Sequence, residues 1–234
     1  MIGWFEFDGV RSRDFGLYVS GNGTYNAPER DISSVTIPGK SGTLTIDNKR
    51  FKNISVSYPA FIREKFKEHS DEVKQWLLSK SGYRRLEDSY HPDLFRKARF
   101  VGPVDFEMAA LNKAGATALV FDCMPQRFFK HGEIPLPMTN GGVLHNETLF
   151  DALPLIRVYG TSGTLYVGNT VCQLNTINEY VDLDSETQNA YKGTANCNMN
   201  VYIPEFPVLA PGMTSIHWEG EIKQVRITPR WWTI

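Results

Sequence analysis

Hydrophobic and polar positions in this chain alternate with a period of two in many short runs, each closed by glycine, proline or asparagine. Ile54, Val56 and Tyr58 interleave with Ser55 and Ser57, the pattern of a strand with one buried face. Similar β-rich runs lie at Trp4 to Phe7, Phe15 to Val19, Ile32 to Ile37 and Leu44 to Ile46. Between them stand Asp8-Gly9, Gly21-Asn22-Gly23 and Pro38-Gly39-Lys40-Ser41-Gly42, which supply the backbone freedom that tight turns need. Further strands are predicted at Tyr83 to Leu86, Ala98 to Val101, Val104 to Met108 and Ala116 to Cys123. One stretch switches to helical spacing. Val73, Trp76 and Leu77 fall at i, i+3 and i+4 between Ser70 and Lys80, with Ser70 as the cap, Asp71 and Glu72 in the first turn and Gly82 past the end. The stripe predicts a helix laid on a sheet, with Trp76 in the core.

The pattern breaks at Met124 to Lys130, and Ile134-Pro-Leu-Pro-Met138 with Asn140-Gly-Gly142 predicts no regular element. Seven short runs follow, at Leu155 to Tyr159, Gly163 to Val167, Thr170 to Leu174, Glu179 to Leu183, Met199 to Ile203, Ser215 to Gly220 and Glu221 to Thr228, spaced as in a β-sandwich. The expected fold class is therefore mainly β. It comprises an N-terminal β-sandwich with one α-helix over residues 1–130, a linker at 131–142, and a C-terminal β-sandwich over 143–234. A length of 234 residues accommodates two domains of that size. Gly39 to Leu44 and Gly160 to Leu165 are alike, and both read as turns leading into a strand rather than as an internal repeat.

Charge supports the division. Residues 1–130 carry 20 basic and 16 acidic side chains, a net +4, whereas residues 131–234 carry 5 and 10, a net −5. That swing is too small and too dispersed for a nucleic-acid site. The opening residues lack the regions of a signal peptide and no run of ~18 apolar residues occurs, so the expectation is a protein made in a cytoplasm without membrane insertion. Cys123, Cys172 and Cys197 are an odd set without C-x-x-C spacing, expected as reduced and mostly buried thiols. Asn53-Ile-Ser55 and Asn146-Glu-Thr148 match the glycosylation pattern, which without a secretory route is accidental.

Candidate chemistry is thin. Gly39-Lys40-Ser41 lacks the upstream glycine of a phosphate-binding loop, since position 34 is Ser, and no helix follows. Neither Gly-x-Ser-Gly stretch completes a nucleophile elbow. The five histidines are scattered singly. Asp182, Asp184 and Glu186 alternate and on a strand would share a face fit for Ca²⁺, but Thr187 stands where an EF-hand loop requires glycine, so a solvated strand end or turn is the expectation. Trp218 reads as core. Trp231 and Trp232 are the candidate ligand residues, for a saccharide or for a partner protein. No catalytic residue, cofactor or metal is expected.

Taken in order, Phe5-Glu-Phe-Asp-Gly9, Asp14-Phe-Gly-Leu17, Pro28-Glu-Arg-Asp-Ile32, Ile37-Pro-Gly-Lys-Ser-Gly-Thr-Leu44, Asn53-Ile-Ser-Val56 and Phe121-Asp-Cys-Met-Pro125 resemble the distal tail protein (Dit) family of long-tailed phages. Pro154-Leu-Ile-Arg-Val-Tyr-Gly160, Val181-Asp-Leu-Asp184, Phe206-Pro-Val-Leu-Ala-Pro-Gly212, Ile216-His-Trp218 and Pro229-Arg-Trp231 are similar to its galectin-like C-terminal domain. The resemblance spans nearly the whole chain. It implies a non-enzymatic virion component at the tail tip, assembled in the host cytoplasm. Six N-terminal domains would form a homo-hexameric ring through which DNA passes, with C-terminal domains outward. Implied partners are the tail tube protein, a tail-associated fibre or lysin protein and, often in this family, receptor-binding proteins. The chain is too short for the inserted carbohydrate-binding module of longer members, so the C-terminal half is expected as an adaptor, with a cell-wall carbohydrate-binding module as the alternative.

Overall fold

The computed structural model describes residues 2–109 and 113–234. The chain divides into two compact units, Met1–Arg127 with Ile234, and Phe128–Thr233. The first contains β1 (Phe5–Phe7), β2 (Val10–Arg11), β3 (Leu17–Val19), β4 (Arg30–Thr36), β5 (Thr43–Phe51), β6 (Ile54–Ile62), α1 (Phe66–Leu78), β7 (Arg84–Asp88), β8 (Leu94–Phe100), β9 (Glu107–Ala109) and β10 (Ala114–Phe129), whose last two residues begin the second unit. The second continues with β11 (Leu136–Met138), β12 (Gly142–Asn146), β13 (Leu155–Val167), β14 (Thr170–Leu174), β15 (Tyr180–Asp184), β16 (Asn189–Lys192), β17 (Ala195–Asn196), β18 (Val201–Tyr202), β19 (Gly212–Thr228) and β20 (Trp232–Thr233). The fold is mainly β.

In the first unit the strand order is β2-β1-β7-β8-β10-β6-β3, with β9 on β10, and the β1–β7, β7–β8, β6–β10 and β3–β6 pairings are antiparallel. β6 buries Ile54, Val56, Tyr58, Ala60 and Ile62 on one face, as its alternation dictates. Rings gather on that face: Phe5 stacks on Tyr58 at 5.1 Å and on Trp76 of α1 at 5.6 Å, while Phe121 meets Phe5 edge-on at 5.3 Å. α1 buries Val73, Trp76 and Leu77 as the stripe predicted, but it begins four residues before Ser70. Phe66 lies in the same stripe and extends it by a turn. Ser70 is therefore inside the helix, buried, its Oγ donating to the Lys67 carbonyl at 3.1 Å.

β10 runs on through Met124 to Phe129, where the pattern was expected to break. Pro125 lies past the last pairing of β6, Cys123 with Ile54, so on that side its missing N–H interrupts no ladder. Residues 131–142 are likewise regular where composition suggested otherwise. Lys130–Glu133 forms a 3₁₀ turn, and β11 pairs with β19 as an edge strand, the one place where Pro137 is tolerated.

In the second unit the order is β11-β19-β13-β15-β16-β17, with β12 also on β19 and β14 joining β13 to β18. Sequence split β13 and β19 at their glycines into four strands; each is one long strand that bends. β13 pairs with β15 before the bend and with β14 after it. At the corner a Cβ on Gly163 would stand 2.3 Å from the Glu219 carbonyl, one on Gly160 2.4 Å from the Glu221 carbonyl, and Gly220 has φ 81°. Glycine here permits two backbones to touch while the ladder shifts register, so Gly160 to Gly163 is a bulged corner within a strand rather than a turn. Ile156, Val158, Leu165, Val167, Val225 and Ile227 fill the core between the two limbs.

Candidate interaction surfaces

β4 and β5 form a two-stranded hairpin that pairs with no other strand among the described residues. Pro38 to Gly42 make its tip, the turn that the sequence indicated, with the Lys40 N–H donating to the Ile37 carbonyl at 3.2 Å. Opposed residues share a face. Val35 faces Leu44 and Ser33 faces Ile46, whereas Ser34 faces Thr45 and Thr36 faces Thr43. One side thus carries Val35, Leu44 and Ile46 with Ser33, the other Ser34, Thr36, Thr43 and Thr45 with Ile32, and both are open: Ile32, Val35, Ile37, Leu44 and Ile46 are 38–47% exposed. At the base, Arg30–Asp47 (3.2 Å), Arg50–Asp31 (2.7 Å) and Lys52–Glu29 (3.3 Å) bridge the two strands or their flanks, contacts worth little on a wet surface. A two-stranded ribbon is marginal alone in water. An open aliphatic face on such a ribbon is a surface waiting for cover.

The two tryptophans chosen from sequence diverge. Trp231 is 7% exposed and belongs to the second unit's core, its carbonyl accepting from the Phe129 N–H at 2.9 Å. Trp232 is half-buried, stacked on Phe150 at 4.3 Å, and its Nε1–H donates to the Asp151 carbonyl at 2.8 Å. Beside them opens a cleft of about 610 Å³ lined by Trp231, Phe129, His131, His145, Glu147 and Phe150 among others. Trp218 packs against the core, with Asn140 bonded to both its backbone N–H and carbonyl at 2.9 Å.

Asp182 and Asp184 do share a face of β15, but they are not a solvated strand end. Both are buried, and each is gripped by a guanidinium. Arg157 Nε and Nη2 reach the two oxygens of Asp182 at 2.7 and 2.8 Å, and Arg230 holds Asp184 at 2.6 and 3.2 Å. Burial alone would raise the Asp184 pKa, but the Arg230 hydrogen bond and charge outweigh it and hold the carboxyl below its usual value. The oxygens that a cation would need are thereby occupied. Among the described residues no three His, Cys, Asp or Glu side chains come together as a metal site, and no helix is long and apolar enough to cross a membrane. Asn146, one of the two glycosylation matches, is buried with its amide donating to the Phe150 and Leu209 carbonyls.

No protein-family model matches the chain, and no curated protein matches it. Solved structures do. The crystal structure of the Dit protein of phage SPP1, described as a paradigm of the hub adsorption apparatus in phages infecting Gram-positive hosts, superposes with a TM-score of 0.75 at 12% identity, covering 100% of both chains. The chain has the Dit fold. Two structures of the phage p2 baseplate in its activated conformation, with Ca and with Sr, give TM-scores of 0.54 and 0.51 at 10% identity over 97% of this chain. The Dit fold accounts for both units, because the likeness runs the full length of the SPP1 protein.

Proposed function

We propose that this chain is a structural distal tail protein, a hub at the tip of a phage tail. Residues 1–130 build a homo-hexameric ring that joins the tail tube on one side and a tail-associated fibre or lysin protein on the other, and DNA crosses the ring without being held. Residues 143–234 form a galectin-like, outward adaptor domain for receptor-binding proteins. It assembles in the host cytoplasm and works in the virion, without catalysis. The full-length likeness to a Dit hub supports the reading, and one observation carries it: the β4–β5 arm presents Val35, Leu44 and Ile46 on a face that its own chain leaves open. A ring of identical copies covers such a face once per subunit by a repeated head-to-tail contact.

The paired variant Leu44→Lys/Ile46→Lys tests this. The expected result is a folded chain with an unchanged melting temperature that no longer associates at concentrations where the parent does. Association surviving in the variant would overturn the assignment of the arm.

The cleft beside Trp231 favours a second reading, in which the C-terminal unit binds cell-wall saccharide there, with Phe150 in its wall and Trp232 stacked against that ring to hold it in place. A glycan array probed with the full chain and with Trp232→Ala decides it: a wall polymer retained by the parent and lost by the variant is expected, and absence of any retained polymer rejects the reading.

A further inference from the structure

The second unit is acidic overall, yet four of its six Lys and Arg residues, Arg157, Lys192, Arg226 and Arg230, reach one outward face of the sheet formed by β19, β13, β15 and β16. Strand register fixes this. Arg226 on β19 lies directly opposite Arg157 on β13, Arg157 opposite Asp182 on β15, and Asp182 opposite Tyr191 on β16. Tyr159 and Tyr180, opposed in the adjacent row, stand beside the basic groups. The Arg226 guanidinium lies 5.5 Å from the Tyr159 ring, that of Arg157 4.5 Å from the Tyr180 ring, and Lys192 Nζ 5.1 Å from the same ring.

Acids on this face answer the bases one by one, with a single exception. Arg157 holds Asp182, Arg230 holds Asp184, and Lys192 holds Glu179 at 2.8 Å. Arg226 is exposed, sits directly across from another guanidinium, and among the described residues has no carboxylate partner. Like charges opposed across strands are unfavourable unless something neutralises them. A cavity of about 160 Å³ opens where Arg226, Arg157, Tyr159, Asp182, Leu155 and Pro135 meet, the Asp182 carboxylate in it being already paired with Arg157. That is well below the roughly 300–1,000 Å³ of small-molecule sites and fits one short side chain.

We infer that this face is a docking surface for an acidic segment of another protein, with a partner Asp or Glu entering the cavity to pair with Arg226. Charge complementarity selects the occupant: one unanswered guanidinium, buttressed by an Arg157 that is already neutralised, accepts one carboxylate. Fixed Tyr and Arg side chains are the types that dominate binding energy at protein interfaces, because they offer area and hydrogen bonds at small entropic cost. The surrounding unit carries four more acidic than basic residues, which disfavours a nucleic-acid backbone. This goes beyond the hub reading and does not depend on ring formation, since the arm takes no part in it.

A fluorescein-labelled deca-glutamate peptide, titrated into the full chain at about 50 mM salt and followed by anisotropy, tests the surface. Arg226 is exposed and bears no structural contact that its loss would orphan, so Arg226→Gln keeps the fold. Lys223→Gln removes the same charge from a basic residue of this unit that makes none of these contacts. The expected result is saturable binding, weakened about fivefold or more by Arg226→Gln and unchanged by Lys223→Gln. Equal effects of the two variants, no binding by the parent, equal affinity for inorganic phosphate, or tighter binding of an oligodeoxynucleotide of the same charge would each overturn the inference.

Discussion

The Asp182 carboxylate, buried on β15, is clasped by Arg157 of β13 through two hydrogen bonds of 2.7 and 2.8 Å. Their residues are register partners, so the pair pins two neighbouring strands at a fixed alignment. Arg157→Met is expected to destabilise the protein by about 2–4 kcal/mol, more than Asp182→Asn, because it leaves a buried carboxylate unanswered. Urea unfolding of both variants checks the order.

Asp184 predicts an acid limit. Its folded-state pKa lies below the ordinary 3.8, so it binds a proton more readily when unfolded, and its stabilisation is complete above that value and lost as pH falls through the folded one. Stability is expected to drop below about pH 4, with a shallower drop in Asp184→Asn. Urea midpoints measured from about pH 5 to pH 2 read the difference, and parallel curves would contradict it.

At the corner of the second unit, Gly163 predicts an intolerance that a glycine in open space does not share. A methyl there meets the Glu219 carbonyl at 2.3 Å, in contact with backbone that cannot turn aside. Gly163→Ala is expected to cost about 3 kcal/mol or more, whereas Gly39→Ala at the arm tip, with open space around it, costs only the strain of its φ of 80°. Thermal melts of the two variants check this.

The cysteines give a chemical test of burial. Cys123 and Cys172 are fully buried, which pushes both thiols up to about 12, and Cys197 is half-buried; all three are free. In native protein at pH 8, a thiol reagent is expected to label Cys197 quickly and the other two only on unfolding. Rapid labelling of all three would refute the packing of both cores.

What the sequence made legible was short in range. The alternation of β6 and the stripe of α1 each lie within one element, and both are observed. Longer-range features were not readable. The glycines of β13 and β19 have the same signature whether a chain turns or two strands cross closely, so each long strand was divided. Val35, Leu44 and Ile46 look like core in sequence, and only the fold leaves them open. Asp182 looked like a solvated acid because its partner Arg157 is 25 positions away, and Arg226 gave no signal until strand register set it against Arg157. Trp231 and Trp232 illustrate the same limit: neighbours in sequence, one is core and the other stacks on Phe150.

The central claim is that identical copies assemble through the arm, and mass measured against concentration tests it most directly. Light scattering on the purified chain from about 1 to 100 µM, with negative-stain images of the largest species, should give a shift from the 26.5 kDa monomer towards six-fold rings that Leu44→Lys/Ile46→Lys abolishes. A parent chain that stays monomeric throughout, or that assembles equally well with the arm altered, would contradict the account.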